Sequence, residues 1–187
     1  KMRVYVENGA TRPFNAVMET PRGPNTVAVR NIGQLEFPMA AQIEAVSAAG
    51  PLGDMQRFDH GPMTIQGGAL RTYPFDPNVD SVQVLLKTDG RPLNSRIELL
   101  QGPNNNKQVI ELYTEDGLDR PFYAIIETPG SGNVVRIVNT ATVEFPLTCS
   151  VGAYSISDKN SFDEMQPVIS GYGAENRNGG SDRDMFR

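Results

Sequence analysis

The sequence contains no tryptophan, a single cysteine (Cys149) and a single histidine (His60) among its 187 residues. One cysteine excludes a disulfide within the chain, and one histidine leaves too few ligands for a His/Cys metal site. No run of about 18 apolar residues is present, so the sequence predicts no membrane insertion. The lack of tryptophan also weakens a sugar-binding hypothesis, because such sites usually stack a sugar ring on an exposed aromatic side chain.

Basic residues are outnumbered by acidic ones, 17 against 22, and the formal net charge is −5. Nucleic acid and anionic membranes both favour clustered lysine and arginine, so we expect neither as a partner. The first residue is Lys1 rather than methionine, and we expect a processed chain from which a targeting peptide has been removed.

The sequence contains an internal repeat. Residues 12–39 align without gaps with residues 120–147, at an offset of 120 − 12 = 108, and 13 of the 28 aligned pairs are identical. Several of the remaining pairs exchange similar side chains, as Val29 and Ile137 do. The sequence therefore predicts two copies of one structural unit.

Each copy is patterned as short strands. The stretches are rich in β-branched and aromatic residues, and glycine, proline or asparagine punctuates them. A proline inside the last strand of each copy predicts a bulge or a switch between sheets. We predict strands at residues 2–6, 14–19, 26–31 and 34–46 of the first copy, and at 69–75, 81–87, 95–100, 108–114, 122–127, 134–139 and 142–154 around the second.

These patterns predict an all-β fold with two tandem, sequence-related antiparallel β-sandwich units related by a pseudo-two-fold axis. The predicted domains are a shortened first unit at 1–60, a second unit at 61–156 and an extended C-terminal arm at 157–187. The first copy lacks counterparts of the strands between 69 and 100. We expect that the natural chain extends upstream, or that the tail or a neighbouring chain completes the first sheet.

No catalytic constellation is found in the sequence, and we assign no catalytic, cofactor-binding or metal-binding residues and no cofactor. His60 follows Asp59 but has no second histidine and no nucleophile motif nearby, which favours a loop histidine. Cys149 is predicted to be a buried small residue. Two glutamates of the first copy, Glu19 and Glu36, recur in the second copy as Glu127 and Glu144. This symmetry favours hydrogen bonding at strand ends, with backbone groups or arginine as partners, over acid–base chemistry.

The same motifs carry a resemblance. Residues 67–73 (GGALRTY), 89–93 (DGRPL) and 97–105 (IELLQGPNN), with the repeated Arg-Pro-Phe, Glu-Thr-Pro and Glu-Phe-Pro, are similar to the diatom pyrenoid shell proteins. These motifs run from residue 12 to residue 147, which is most of the chain. The resemblance implies two related β domains per subunit, side-by-side assembly into a flat or curved lattice, and no catalytic residues.

It further implies a structural protein that self-assembles into the sheet encasing the Rubisco-containing pyrenoid, and thereby supports CO2 concentration and carbon fixation. The location implied is the chloroplast stroma at the pyrenoid periphery. The implied partners are copies of the same chain, with related shell paralogues or Rubisco as further candidates. The alternative hypothesis is a carbohydrate- or Ca²⁺-binding β-sandwich, which would use tyrosines or the acidic loops at 76–80 and 116–119; an enzyme is the third.

Overall fold

A computed structural model describes residues 1–21, 23–34, 36–45, 58 and 60–157, with the side chain of His60 excepted. In this part of the chain all regular structure is β. The ten strands are β1 (Met2–Val6), β2 (Asn15–Met18), β3 (His60–Ile65), β4 (Leu70–Pro74), β5 (Val79–Lys87), β6 (Leu93–Gln101), β7 (Asn106–Thr114), β8 (Phe122–Glu127), β9 (Asn133–Asn139) and β10 (Leu147–Ile156).

The strands form two five-stranded antiparallel sheets. Sheet A has the order β1-β7-β6-β9-β4, and sheet B has the order β2-β8-β5-β10-β3. Strands of the predicted second unit form four adjacent positions of each sheet. The first copy contributes one edge strand to each: β1 pairs with β7, and β2 pairs with β8.

The inner faces of the two sheets share one hydrophobic core. Alternation along the strands places every second side chain in it, as in β9, where Val135 and Ile137 are fully buried. Sheet B contributes residues such as Val84, Ala124 and Val151, which are fully buried too. The all-β, antiparallel prediction is confirmed, and the described strands of both copies belong to one compact unit, Lys1–Ser157.

The structure corrects three strand predictions. Residues 26–31 and the described residues of 34–46 form no strand. β10 begins directly after Pro146, so the proline precedes the strand instead of interrupting it. A strand that we did not predict, β3, lies in the Gly- and Pro-rich stretch before residue 66.

The failed strands have a common physical reason. In the second copy, β9 is hydrogen-bonded between β6 and β4, and β10 between β5 and β3. The first copy has the sequence of β9 and β10, but the described residues include no counterpart of these four partners and no strand paired with residues 26–31. A strand sequence without a partner leaves its backbone groups to water.

The four edge strands lie in two pairs. A short connection at residues 7–14 joins β1 to β2, which places these edges of the two sheets on one side of the sandwich. The turn at residues 66–69 joins β3 to β4 in the same way on the opposite side. No helix that could span a bilayer is found in the part of the chain that the structure describes.

Candidate assembly surface

The same turn follows β1 in the first copy and the corresponding strand, β7, in the second. Asn8 accepts hydrogen bonds through its side-chain oxygen from the backbone N–H groups of Ala10 and Thr11, at 3.0 and 3.4 Å. Asp116, 108 residues later, accepts from Leu118 and Asp119 at 2.8 and 3.0 Å. These bonds lower the pKa of the Asp116 carboxyl. Asp116 thus has a structural role in its loop, since its oxygen is engaged in closing a turn.

A second turn is also repeated. The Asn139 side chain donates to the carbonyl of Phe145 at 2.8 Å and accepts from the Ala141 N–H at 3.0 Å. Its counterpart Asn31 donates to the carbonyl of Phe37 at 2.8 Å and accepts from the Gly33 N–H at 2.9 Å. The first copy therefore forms the equivalent of the turn between β9 and β10, although the described residues on either side of it form no strand.

Pairing between the copies is centred on equivalent residues in both sheets. Arg3 lies opposite Glu111, and Ala16 lies opposite Ala124. Both pairs differ by the repeat offset, 111 − 3 = 108 and 124 − 16 = 108. An antiparallel pair centred on equivalent residues has the local symmetry of a two-fold axis, so each sheet joins the two copies in the same way.

The two copies differ sharply in side-chain burial after β2 and its counterpart β8. Every described residue between 23 and 45 is exposed. Val29 is 54% exposed, whereas its counterpart Ile137 is fully buried, and Ile43 is 61% exposed, whereas its counterpart Val151 is fully buried. The large apolar side chains exposed in this segment are Val27, Val29, Ile32, Phe37, Met39 and Ile43. We call residues 23–45 the open segment.

The opposite side of the sandwich also presents apolar side chains. Met63 in β3 and Leu70 in β4 are 42% and 52% exposed, and each belongs to an edge strand. Val143 is exposed too. It lies close to these strands, because the carbonyl of the preceding residue, Thr142, lies against Gly67 in the turn between β3 and β4. We call Met63, Leu70 and Val143 the edge patch. Exposed edges with apolar side chains are suited to contact with another chain.

The outer face of sheet A is charged instead. Glu98 is largely buried and lies 2.8 Å from Arg96, two residues earlier in β6, and 3.0 Å from Arg136 on the neighbouring strand β9. Arg96 also lies opposite Glu111, which in turn lies opposite Arg3. Charged side chains thus occupy four adjacent strands of this face, and the same row continues through Val138 to Leu70 at its β4 edge.

The recurring glutamates do not come together. Among the described residues, no lysine or arginine forms an ion pair with any of the four glutamates. Arg91 contacts Glu144 only through its backbone carbonyl, at 2.5 Å, and the Glu144 carboxylate accepts a hydrogen bond from Thr142 at 2.7 Å. That bond is the main reason why the pKa of Glu144 is lowered. The expected arginine partnership is therefore not found at these carboxylates.

The other candidates are dispersed. In the described part of the chain, no three His, Cys, Asp or Glu side chains lie close enough to hold a metal ion. In the acidic loop at 76–80, the Asp80 carboxylate accepts a hydrogen bond from the Ser157 hydroxyl. Tyr5 and Tyr113 are exposed on sheet A and Tyr154 on sheet B, whereas Tyr73 and Tyr123 are buried. Tyr172 and the arm at 158–187 lie outside the described residues.

Cys149 is fully buried, as the sequence predicts. Burial raises the pKa of its thiol to about 12, and the hydroxyl of Tyr73 lies 3.8 Å from the sulfur. Because the thiolate is the reactive form, we expect folded protein at pH 8 to react with a thiol reagent at least about 100-fold more slowly than protein in urea. Timed labelling with and without urea measures this. Equal rates would contradict the burial of this side chain.

A model of the family described as diatom pyrenoid shell protein matches residues 1–153. The chain belongs to the diatom pyrenoid shell protein family. A search of curated proteins finds no match.

Membership of the pyrenoid shell family implies a structural role in the shell and a location in the pyrenoid of the plastid. The family is a structural one. The match includes β1, β2, the open segment and all but the last residues of β10. Sequence reasoning identified the family, but it missed the two surfaces described above, because it could not tell which apolar residues would stay exposed.

Proposed function

We propose that the protein assembles side by side with copies of itself into the protein sheet that encases the Rubisco-containing pyrenoid. The observation that carries the proposal is apolar surface on two opposite sides of a sandwich that belongs to a shell family. The edge patch lies on one side, and the open segment follows the edge strand β2 of the other.

Two opposite and different contact surfaces favour continued growth over a closed dimer. A contact between unlike surfaces leaves one of each unoccupied at the ends, so further subunits can add unless the rotation closes a ring. The charges on the outer face of sheet A keep the middle of that face hydrated, which directs apolar contact to the edge strands. Lateral growth of this kind gives a layer one subunit thick.

In the proposed setting the layer lies in the chloroplast stroma at the pyrenoid periphery. A continuous protein layer there would retain Rubisco and limit the escape of CO2, which supports CO2 concentration and carbon fixation. Copies of the chain are the proposed main partners, with related shell paralogues or Rubisco as further ones. Rubisco contact would have to use surfaces other than those buried between subunits.

Negative-stain electron microscopy of the purified full chain at rising concentration tests the assembly. We expect sheets or tubes, and we expect the double substitution Leu70→Asp and Val143→Asp to abolish them. Two carboxylates placed in an apolar contact lose hydration without gaining partners, which opposes association. Sedimentation at the same concentrations should change from large particles to a single small species.

Leu118→Asp is the matched control. Leu118 is about as exposed as Leu70 and Val143 and lies in the turn between β7 and β8, apart from the edge strands. This variant should assemble like the unmodified chain. A full chain that stays monomeric at high concentration, or a Leu118 variant that fails as the double variant does, would count against the proposed contact.

The same proposal includes two related sandwich units in one subunit. Its support is the repeated turns and the pairing centred on equivalent residues. In such a subunit, the contact between units is the continuous pairing of β1 with β7 and of β2 with β8.

A further inference from the structure

We infer that a groove on the outer face of sheet A is a docking site for an extended acidic segment of a partner protein. The segment would place a carboxylate on Arg3 and, two residues away, an apolar side chain against Tyr5. The inference does not depend on lateral assembly, because β1, β7 and β6 form the groove, whereas the edge patch lies beside β3 and β4.

The groove is open to solvent and has a volume of about 240 Å³. It is lined by Arg3, Tyr5, Arg96, Val109 and Glu111. The residues of β1 that alternate with Arg3 and Tyr5 pack against the core, so these two side chains point outward. Val109 lies opposite Tyr5 in β7 and gives the groove an apolar side chain beside its charged ones.

The charge in the groove is not fully balanced. Among the described residues, no carboxylate lies within ion-pair distance of Arg3, although Glu111 is its neighbour across the strands. Glu111 lies 3.9 Å from Arg96 instead, and Arg96 shares Glu98 with Arg136. These five side chains sum to 3 − 2 = +1, on a chain whose net charge is −5. The groove is therefore suited to one added carboxylate, which an arginine binds through two parallel hydrogen bonds.

Arg3 and Tyr5 define the pattern that the partner needs. Residues i and i+2 of a strand lie on the same face, about 6.7 Å apart. An extended peptide has the same spacing, so an apolar side chain can rest against Tyr5 while a carboxylate two positions away reaches Arg3. Tyr5 is 57% exposed, so its ring has apolar surface to bury on contact. The pattern in the partner is an apolar residue, any residue, then aspartate or glutamate, in either chain direction.

A nucleic acid or another polyphosphate fits the groove less well. Such ligands bind through several unpaired basic groups. Here both Arg96 and Arg136 are already engaged by Glu98, and the Glu111 carboxylate would repel neighbouring phosphates. In a layer built through the edge strands, this face would stay accessible and would present one peptide site per subunit on one side of the layer.

Peptide titration of the purified full chain tests the docking site. The probe is the capped peptide Gly-Glu-Ser-Leu-Ser-Glu-Gly, and its comparison has glutamine in place of both glutamates. The protein is isotope-labelled and kept below the concentration of assembly, at about 0.1 M salt, where the Debye length is about 10 Å. We expect the acidic probe to shift the amide resonances of β1 and β7 around the groove. The glutamine peptide should bind at least about 5-fold more weakly, because it lacks the charge-assisted hydrogen bonds.

Variants of the chain locate the contact. Arg3→Ala should weaken the acidic probe at least about 5-fold, and Tyr5→Ser should weaken it as well, with little change in unfolding temperature because both side chains are exposed. Arg120→Ala is the matched control, since it removes the same charge from the exposed turn between β7 and β8. The affinity of this control should stay within about twofold of the unmodified chain. The double variant Leu70→Asp and Val143→Asp should bind the probe normally, which separates failure of docking from failure of lateral assembly.

Four results would overturn the inference. The first is a folded chain that shows no shifts around the groove with the acidic probe in large excess. Equal losses for Arg3→Ala and Arg120→Ala would mean that only the overall charge matters. Unchanged binding by Tyr5→Ser would contradict the apolar contact. A change in the sedimentation of Arg3→Ala without any peptide would mean that a second copy of the chain occupies this face.

Discussion

Replacing Ile137 with alanine should destabilise the sandwich by about 2–5 kcal/mol, because Ile137 is fully buried in β9 and the truncation leaves a cavity between the sheets. A loss of this size is a large part of the total stability of an ordinary domain. Thermal unfolding should shift downward by roughly 5–15 °C, and urea unfolding measures the free energy directly.

The repeat provides the matched control for this substitution. Val29 occupies the same place in the first copy but is more than half exposed, so Val29→Ala should change the free energy of unfolding by less than about 0.5 kcal/mol. Two aligned positions would then differ at least about fourfold in their contribution to stability. Equal costs at the two sites would contradict the difference in burial between the copies.

Replacing Glu98 with alanine should cost about 1–2 kcal/mol. Glu98 is largely buried against Arg96 of its own strand and Arg136 of β9, and its loss leaves both guanidinium groups without their shared carboxylate. Removing one partner of a fully buried ion pair costs about 3–5 kcal/mol, and we discount this because both arginines are about a third exposed and can recover water. Urea unfolding at low salt measures the loss.

Glu111→Ala is the comparison on the same face. Glu111 is half exposed and lies 3.9 Å from Arg96, so its loss should cost less than about 0.5 kcal/mol and should vanish in 1 M salt. The Glu98 effect should decrease with salt but persist. If the two glutamates cost the same, the charges on sheet A would not be organised around Glu98.

Strands within the second copy could be predicted from the sequence to within a few residues. The run at 108–114 became β7, and that at 122–127 became β8, because alternating β-branched residues bounded by turn signals specify a strand wherever partners exist. β3 was missed, since Gly61 and Pro62 are unusual in a strand; β3 is an edge strand, where the missing N–H of proline is tolerated.

The candidate surface was less accessible to sequence reasoning. Val27 and Val135 are identical residues in aligned segments, yet one is exposed and the other is fully buried. No local pattern distinguishes them, because exposure depends on whether strands distant in sequence lie alongside. Leu70 and Val143 are brought to one side only by the pairing of β4 with β9 and by the turn at Gly67.

The sequence by itself determined the β-class, the repeat, the family and the local turns, since each of these depends on residues close together in the chain or on direct comparison of two stretches. The asparagine-centred turn forms in the first copy even without packed strands around it. Only the tertiary structure decided which repeat has a core and which apolar residues face water. Burial requires backbone and side-chain partners from other strands, and those partners are present around the second copy alone among the described residues.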